Sequence, residues 1–387
     1  MPSIKMKINA NVLQWAISNS NTDEFLLRAL FPKIDEWLSG NVEPTFNQLE
    51  NLSRKLHIPF GYLLLNSPPK EKVELLEFRT IESEKIKKPS RELIDTIYDM
   101  EMKMDWMREE LIRLGNEPMT FVNSISKSSQ DIKNIASIIR KDIELDDDWF
   151  LKTKNADESF KYIRSKLEDL GVLVMMNGIV GSNTSRSLDV NEFRAFVIID
   201  DYAPLIFINA KDSSGGRLFS ICHELAHIWF GENNIFNDQY DSKDSYKDKL
   251  ELKCNAIAAE ILVPEKHFMR KWQEDSTEKI SEKIKVLAKY FRVSETVIAR
   301  RALDFGKITK QEYSTIYKMA IENFNKMIDS KKKRSGGDYY STAKTRIDHR
   351  FFSVVNRSVL NGTLKYTDAF RLTGLNRKTY SEFERRL

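Results

Sequence analysis

The chain has 387 residues, with 61 Lys/Arg against 57 Asp/Glu and an apolar content of 41%, so it is long for one domain and two to four packed units are expected. Its two cysteines, Cys222 and Cys254, exclude a disulfide-stapled scaffold and favour a reducing compartment. No run approaches the roughly 18 apolar residues of a membrane span, and MPSIKMKINANVLQW has no signal-peptide core, so a cytoplasmic protein with no membrane contact is expected.

In chain order, VLQWAI, DEFLLRAL, KIDEWL and LENLSRKL carry helical apolar spacing, with SGN and EPT as turns between them. NSPPKEK reads as a linker, and RELIDTIYDMEMKMDWMREELIRLG as an amphipathic helix ending at Gly115. IKNIASIIRKDI and the stretch from Ser159 to Leu170 predict two more helices. GVLVMMN, EFRAFVIID and PLIFINA then read as strands, rich in Val, Ile and Phe and separated by polar turns. A helix over SICHELAHIWFG follows the third strand, and KLELKCNAIAAEILVP predicts another that stops before Pro264. From there the pattern is helical, with KKKRSGGD at 331–338 as a boundary. The expected fold is α+β: a mainly helical multidomain chain carrying a small sheet-plus-helices domain. The expected divisions are 1–66, 67–150, 151–306 and 307–387.

His223 and His227 are two of only five histidines, and they lie four residues apart, on one face of their helix. With Glu224 beside the first they form HE-x-x-H, in which two imidazoles bind zinc and the glutamate acts on water. The apolar Leu218, Ile221, Leu225, Ile228 and Trp229 and the terminal Gly231 suit a packed, capped helix. A catalytic zinc needs a third protein ligand and an open position. Glu232, Asp238, Asp241, Asp244, Asp248, Glu251 and Glu260 are the downstream candidates, and no third histidine follows in a metzincin pattern. Glu251 is preferred because Asn255 lies one turn on, where it could orient a ligand imidazole. Ala256, Ala258 and Ala259 would let that helix approach the HELAH helix closely. An oxyanion stabiliser is also expected, with Tyr202, Tyr240, Tyr246 and His267 as candidates.

Three stretches, SLDVNEFRAFVIIDDYAPLIFINA, RLFSICHELAHIWFG and ELKCNAIAAEILVP, together make residues 170–265 resemble the ImmA/IrrE family of zinc-dependent metallopeptidases. The resemblance implies Zn2+ as cofactor, His223, His227 and Glu251 as ligands and Glu224 as catalytic base. It also implies a regulatory substrate, a helix-turn-helix repressor or an antitoxin-type protein, cut at few sites. Cys254 fills a position that often holds alanine and reads as a small core residue.

The first 66 residues, including WLSGNVEPTFNQLENL, resemble an Xre-type helix-turn-helix domain. Residues 1–70 hold 7 Lys/Arg and 6 Asp/Glu, and the second motif helix would carry the acidic FPKIDEWL. That is little basic charge for gripping phosphates, so a degenerate copy used for protein contact is expected. From Lys331 onward there are 14 Lys/Arg against 5 Asp/Glu, a net +9 in a chain of net +4. TDAFRLTGLNRKTYSEFERRL there reads as helix, turn, helix, a basic module that could meet nucleic acid or an acidic partner. The competing reading is a DNA- or protein-binding transcription regulator or antitoxin whose zinc site is non-catalytic. A peptidase fold that only holds its partner is a third.

Overall fold

A computed structural model of the chain describes residues 4–20, 22–71, 75, 89–236, 246–277, 279–331 and 345–385. They form two compact units, Met1–Tyr98 and Asp99–Leu387. The chain is 60% helical with one small mixed sheet, an α+β fold. No helix among the described residues is long and apolar enough to cross a membrane. The expected boundary at 331–338 and the end of the linker after Glu71 fall outside the described residues.

In the first unit, helices α1 (Ala10–Ser18), α2 (Glu24–Leu30), α3 (Ile34–Leu38) and α4 (Phe46–Leu56) precede a 3-10 turn at Phe60–Leu64. Each start is written locally. Asn9 and Asp23 cap α1 and α2, and Thr45 forms a reciprocal capping box with Gln48 at α4. Leu13, Leu27, Ile34, Trp37, Leu49, Leu52 and Leu63 make the core. On the surface Arg28 is held by both Glu24 and Asp35, so one of the few cations near α3 is already neutralised. Helix α5 follows at Arg91–Arg113.

The second unit contains α6 (Ile132–Asp142), α7 (Ala156–Leu170), β1 (Leu173–Asn177), the β2–β3 hairpin (Ile179–Val180, Asn183–Ser187), β4 (Ala195–Ile198) and β5 (Leu205–Asn209). Then come α8 (Ser214–Phe230), β6 (Asn234–Phe236), α9 (Tyr246–Leu262), α10 (Glu265–Glu274), α11 (Ile280–Phe291), α12 (Glu295–Asp304) and α13 (Lys310–Lys331). The sheet order is β1-β5-β4-β6, with β1 parallel to β5 and the other pairs antiparallel. The three strands read from sequence are β1, β4 and β5, the inner strands among them buried on both faces. Val174, Val197 and Ile206 join the main core, while Phe193, Phe196 and Phe207 cluster on the other face, the last two rings stacked at 4.9 Å. Double burial is why these strands are continuous apolar runs rather than alternating ones. The short β2, β3 and β6 lacked that signal; β3 is NTSRS, polar throughout.

The main core extends from Val122 to Ile308 and includes Ile135, Ile139, Trp149 and Phe150, so α6 and the Trp149 turn pack into the same core as the sheet. Ile284, Phe291, Val297 and Ile298 bring α11 and α12 into it as well. Helices α14 (His349–Leu360), α15 (Tyr366–Thr373) and α16 (Arg377–Glu384) end the chain. Gly374, at φ +65°, turns α15 into α16. Asp348 is fully buried where α14 begins. Its carboxylate accepts from Phe351 N at 2.8 Å, capping the helix, and from Val174 N in β1 at 2.9 Å. Arg164 in α7 donates to the Thr345 and Ile347 carbonyls, and Arg350 to that of Gly171.

Candidate metal centre

Helix α8 starts where Ser213 accepts from Gly216 N and ends at Gly231, whose φ of +66° suits a residue without a side chain. A Cβ there would also lie 2.6 Å from Asn123. The exposed ends are satisfied by the chain that precedes the sheet. Asn123 N and Ile125 N donate to the Ile228 and Trp229 carbonyls at 3.0 and 2.9 Å, and Trp229 Nε1 donates to Asp142 at 2.9 Å. Helix α9 is anchored in the same manner. Its last carbonyls, which a helix end leaves without partners, accept from Arg140 (to Glu260), Trp149 Nε1 (to Ile261) and Arg301 (to Val263) at 3.1–3.2 Å.

These anchors bring α8 and α9 side by side. His223 and His227 are buried, and their Nε2 atoms face each other at 3.2 Å. Glu251 reaches in from α9, Oε2 at 3.1 Å from His223 Nε2 and Oε1 at 3.4 Å from His227 Nε2. The three donors fall within 4.8 Å of one another. Zinc–nitrogen bonds of about 2.0–2.1 Å at a tetrahedral angle separate two ligand nitrogens by about 3.3 Å, so the donors already form a triangle of the size of one face of a zinc tetrahedron. Asn255 Oδ1 lies 2.9 Å from His223 Nδ1. An amide oxygen can only accept, so Nδ1 carries the proton and Nε2 turns its lone pair toward the centre.

Glu224 is completely buried, and neither of its carboxylate oxygens completes a hydrogen bond. Burial, then the Glu251 carboxylate, push its pKa well above the usual range, while the Asn234 amide and the Phe236 backbone pull it back. Burial pushes His227 down to about 4, with Glu251 opposing, so its imidazole is neutral, the form that ligates. The Cys254 thiol is fully buried and is pushed up by that burial; such a thiol is a core residue rather than a thiolate ligand.

Other sequence candidates lie elsewhere. Glu260 is ion-paired to Arg301, and Glu232 to Lys127. His267 packs edge-on against Phe150, and Tyr202 sits in the β4–β5 turn. Asp238, Asp241, Asp244 and Tyr240 fall outside the described residues, as do the side chains of Tyr246 and Asp248. Two site residues escaped sequence reasoning. Asn234 in β6 places its amide 3.1 Å from His227 Nε2 and 3.4 Å from His223 Nε2. Phe236 lays its ring 4.1 Å from that of His223. Their three-residue strand, NIF after Glu232 and Asn233, has no periodicity to read.

This geometry can be set beside known proteins. Residues 167–303 match the peptidase family model described as the IrrE N-terminal-like domain, which supports the resemblance to ImmA/IrrE and to metallopeptidases. Residues 347–386 match a second model, described as a domain of unknown function. No curated protein and no solved structure matches the chain.

Proposed function

We propose that the chain is a regulatory zinc-dependent endopeptidase in which His223, His227 and Glu251 hold the metal and Glu224 is the catalytic base. The observation that carries this reading is the pairing of three converging donors with a fully buried carboxylate on the same helix. A structural zinc site closes all four positions with protein ligands, whereas three donors beside a buried carboxylate suit hydrolysis. Zinc held there supplies Lewis acidity to a water and to the scissile carbonyl. Glu224 takes the proton of the attacking water and hands it to the leaving amine. Asn255 keeps His223 in the ligating tautomer, and the apolar burial around α8 excludes bulk water, which strengthens each charge interaction.

The substrate we propose is a helix-turn-helix repressor or antitoxin-type regulator cut at few sites. The low basic charge of the first unit and the pairing of Arg28 support its use in protein contact. The test is incubation of the zinc-loaded protein with the regulator encoded beside its gene, and with casein. Wild type should cut the regulator at one or few bonds and casein slowly. Glu224→Gln should retain zinc and lose cleavage by roughly a hundredfold or more. Cleavage by that variant at the wild-type rate would remove Glu224 from the chemistry, and rapid casein digestion would remove the single-target reading.

A further inference from the structure

A cavity of about 440 Å3 adjoins the metal centre within the second unit. The two share residues: Asn255, bonded to His223, and Phe236, packed on the His223 ring, both line it. Phe219 and Ser220 of α8 and Leu252 and Ala256 of α9 form its inner wall. Val297 of α12 and Ile321 of α13 also line it. Helix α13 begins at Lys310, beyond residue 303 where the family match ends.

The chemistry of the walls defines an occupant. The guanidinium groups that border the cavity are each held by a carboxylate: Arg194 by both oxygens of Asp212 at 2.9 Å, and Arg300 by Asp304 at 2.9 Å. Glu295, the remaining carboxylate, is exposed at the edge. Leu252 is 60% exposed and Ile321 42%, so apolar surface lies open on both sides. Burying it is worth about 25 cal/mol per Å2, whereas an acidic guest would lose its hydration where both guanidinium groups are already held. The volume lies near the low end of the roughly 300–1,000 Å3 of ligand clefts, room for one large side chain with its flanking backbone.

We propose that this cavity is the substrate-selecting subsite, which takes a large apolar side chain, aromatic or branched aliphatic, beside the scissile bond, and that α13 sets its outer wall. The inference rests on the metallopeptidase reading. Selectivity then resides partly in a helix that the matched family segment does not include.

Amino-acid hydroxamates, which chelate zinc through one end and present a side chain at the other, are the probes. Their affinity for the zinc-loaded full-length protein is measured by calorimetry, with glycine, leucine, phenylalanine, aspartate and lysine side chains. The leucine and phenylalanine compounds should bind roughly tenfold or more tighter than the glycine compound. Ala320→Trp, which fills the cavity from α13, should bring all three within about twofold of one another while zinc content and glycine-compound affinity stay unchanged. Ile321→Glu, at an exposed position, should lower the preference without burdening the fold. Equal affinity across the wild-type series, or tighter binding of the charged compounds, overturns the subsite. So does a zinc-loaded protein that binds none of them. A protein that takes up no zinc overturns the metal-centre reading beneath it.

Discussion

Replacing Asn255 with alanine should weaken zinc binding by roughly 10–100-fold without unfolding the domain. The reasoning starts from the 2.9 Å contact between Asn255 Oδ1 and His223 Nδ1. While that bond exists, the proton sits on Nδ1 and the Nε2 lone pair is free. Without it, the metal-free imidazole can move its proton to Nε2, which lies 3.1 Å from Glu251 Oε2, and bond that carboxylate. Such a charge-assisted bond is worth about 1.5–3 kcal/mol, and zinc would have to break it before binding. At about 1.4 kcal/mol per tenfold, the loss is one to two decades. Competition against a chromophoric chelator at neutral pH reads the affinity directly. Asn255→Asp keeps the acceptor and should bind zinc at least as tightly as wild type. An Asn255→Ala protein within twofold of wild type would refute the tautomer argument and leave Asn255 as a packing residue.

Asp348→Ala should cost roughly 2–4 kcal/mol in urea unfolding, since it removes a helix cap and leaves the buried Val174 N–H without a partner; a loss under about 1 kcal/mol would mean another acceptor replaces it. The pH dependence of stability should carry a signature of Glu168, which burial, and then Asp348, push up from 4.5 to about 7 against the pull of Arg164. Its folded form binds the extra proton, so this stabilisation is complete below about pH 4.5 and is lost as pH rises through 7. Unfolding midpoints of Glu168→Gln across that range should fall less with pH than those of wild type, and parallel curves would contradict the assignment. Gly231→Ala should destabilise the domain by at least about 1–2 kcal/mol in thermal unfolding, through the left-handed φ alone, and an unchanged midpoint would show that α8 can end otherwise.

Much of the second unit was legible because periodicity and capping act locally. The HELAH helix, the helix carrying Glu251 and Asn255 and strands β1, β4 and β5 all fall where their apolar patterns put them. The opposition of Glu251 to the two histidines could not be read in the same way. Sequence supplied seven acidic candidates, and the arrangement that separates Glu251 from Glu260 is the Arg301 ion pair, 41 residues away. Asn234 and Phe236 were hidden because a three-residue edge strand derives its existence from pairing with β4, not from its own pattern. The Trp149 turn enters the main core, its indole finding an acceptor at Ile261, 112 residues on. Contacts of that range leave no trace in a local window.

The bonds that finish α9 also bear on how this protein can be divided. The matched family segment begins at residue 167, but the donors that occupy the Glu260 and Ile261 carbonyls are Arg140 and Trp149. A fragment trimmed to the matched boundary would strip partners from the helix that carries Glu251 and would bare the apolar bed of Ile135, Ile139 and Phe150. A piece that keeps these partners therefore starts ahead of Val122. Grafting the peptidase segment onto another chain would succeed only if these upstream residues travelled with it.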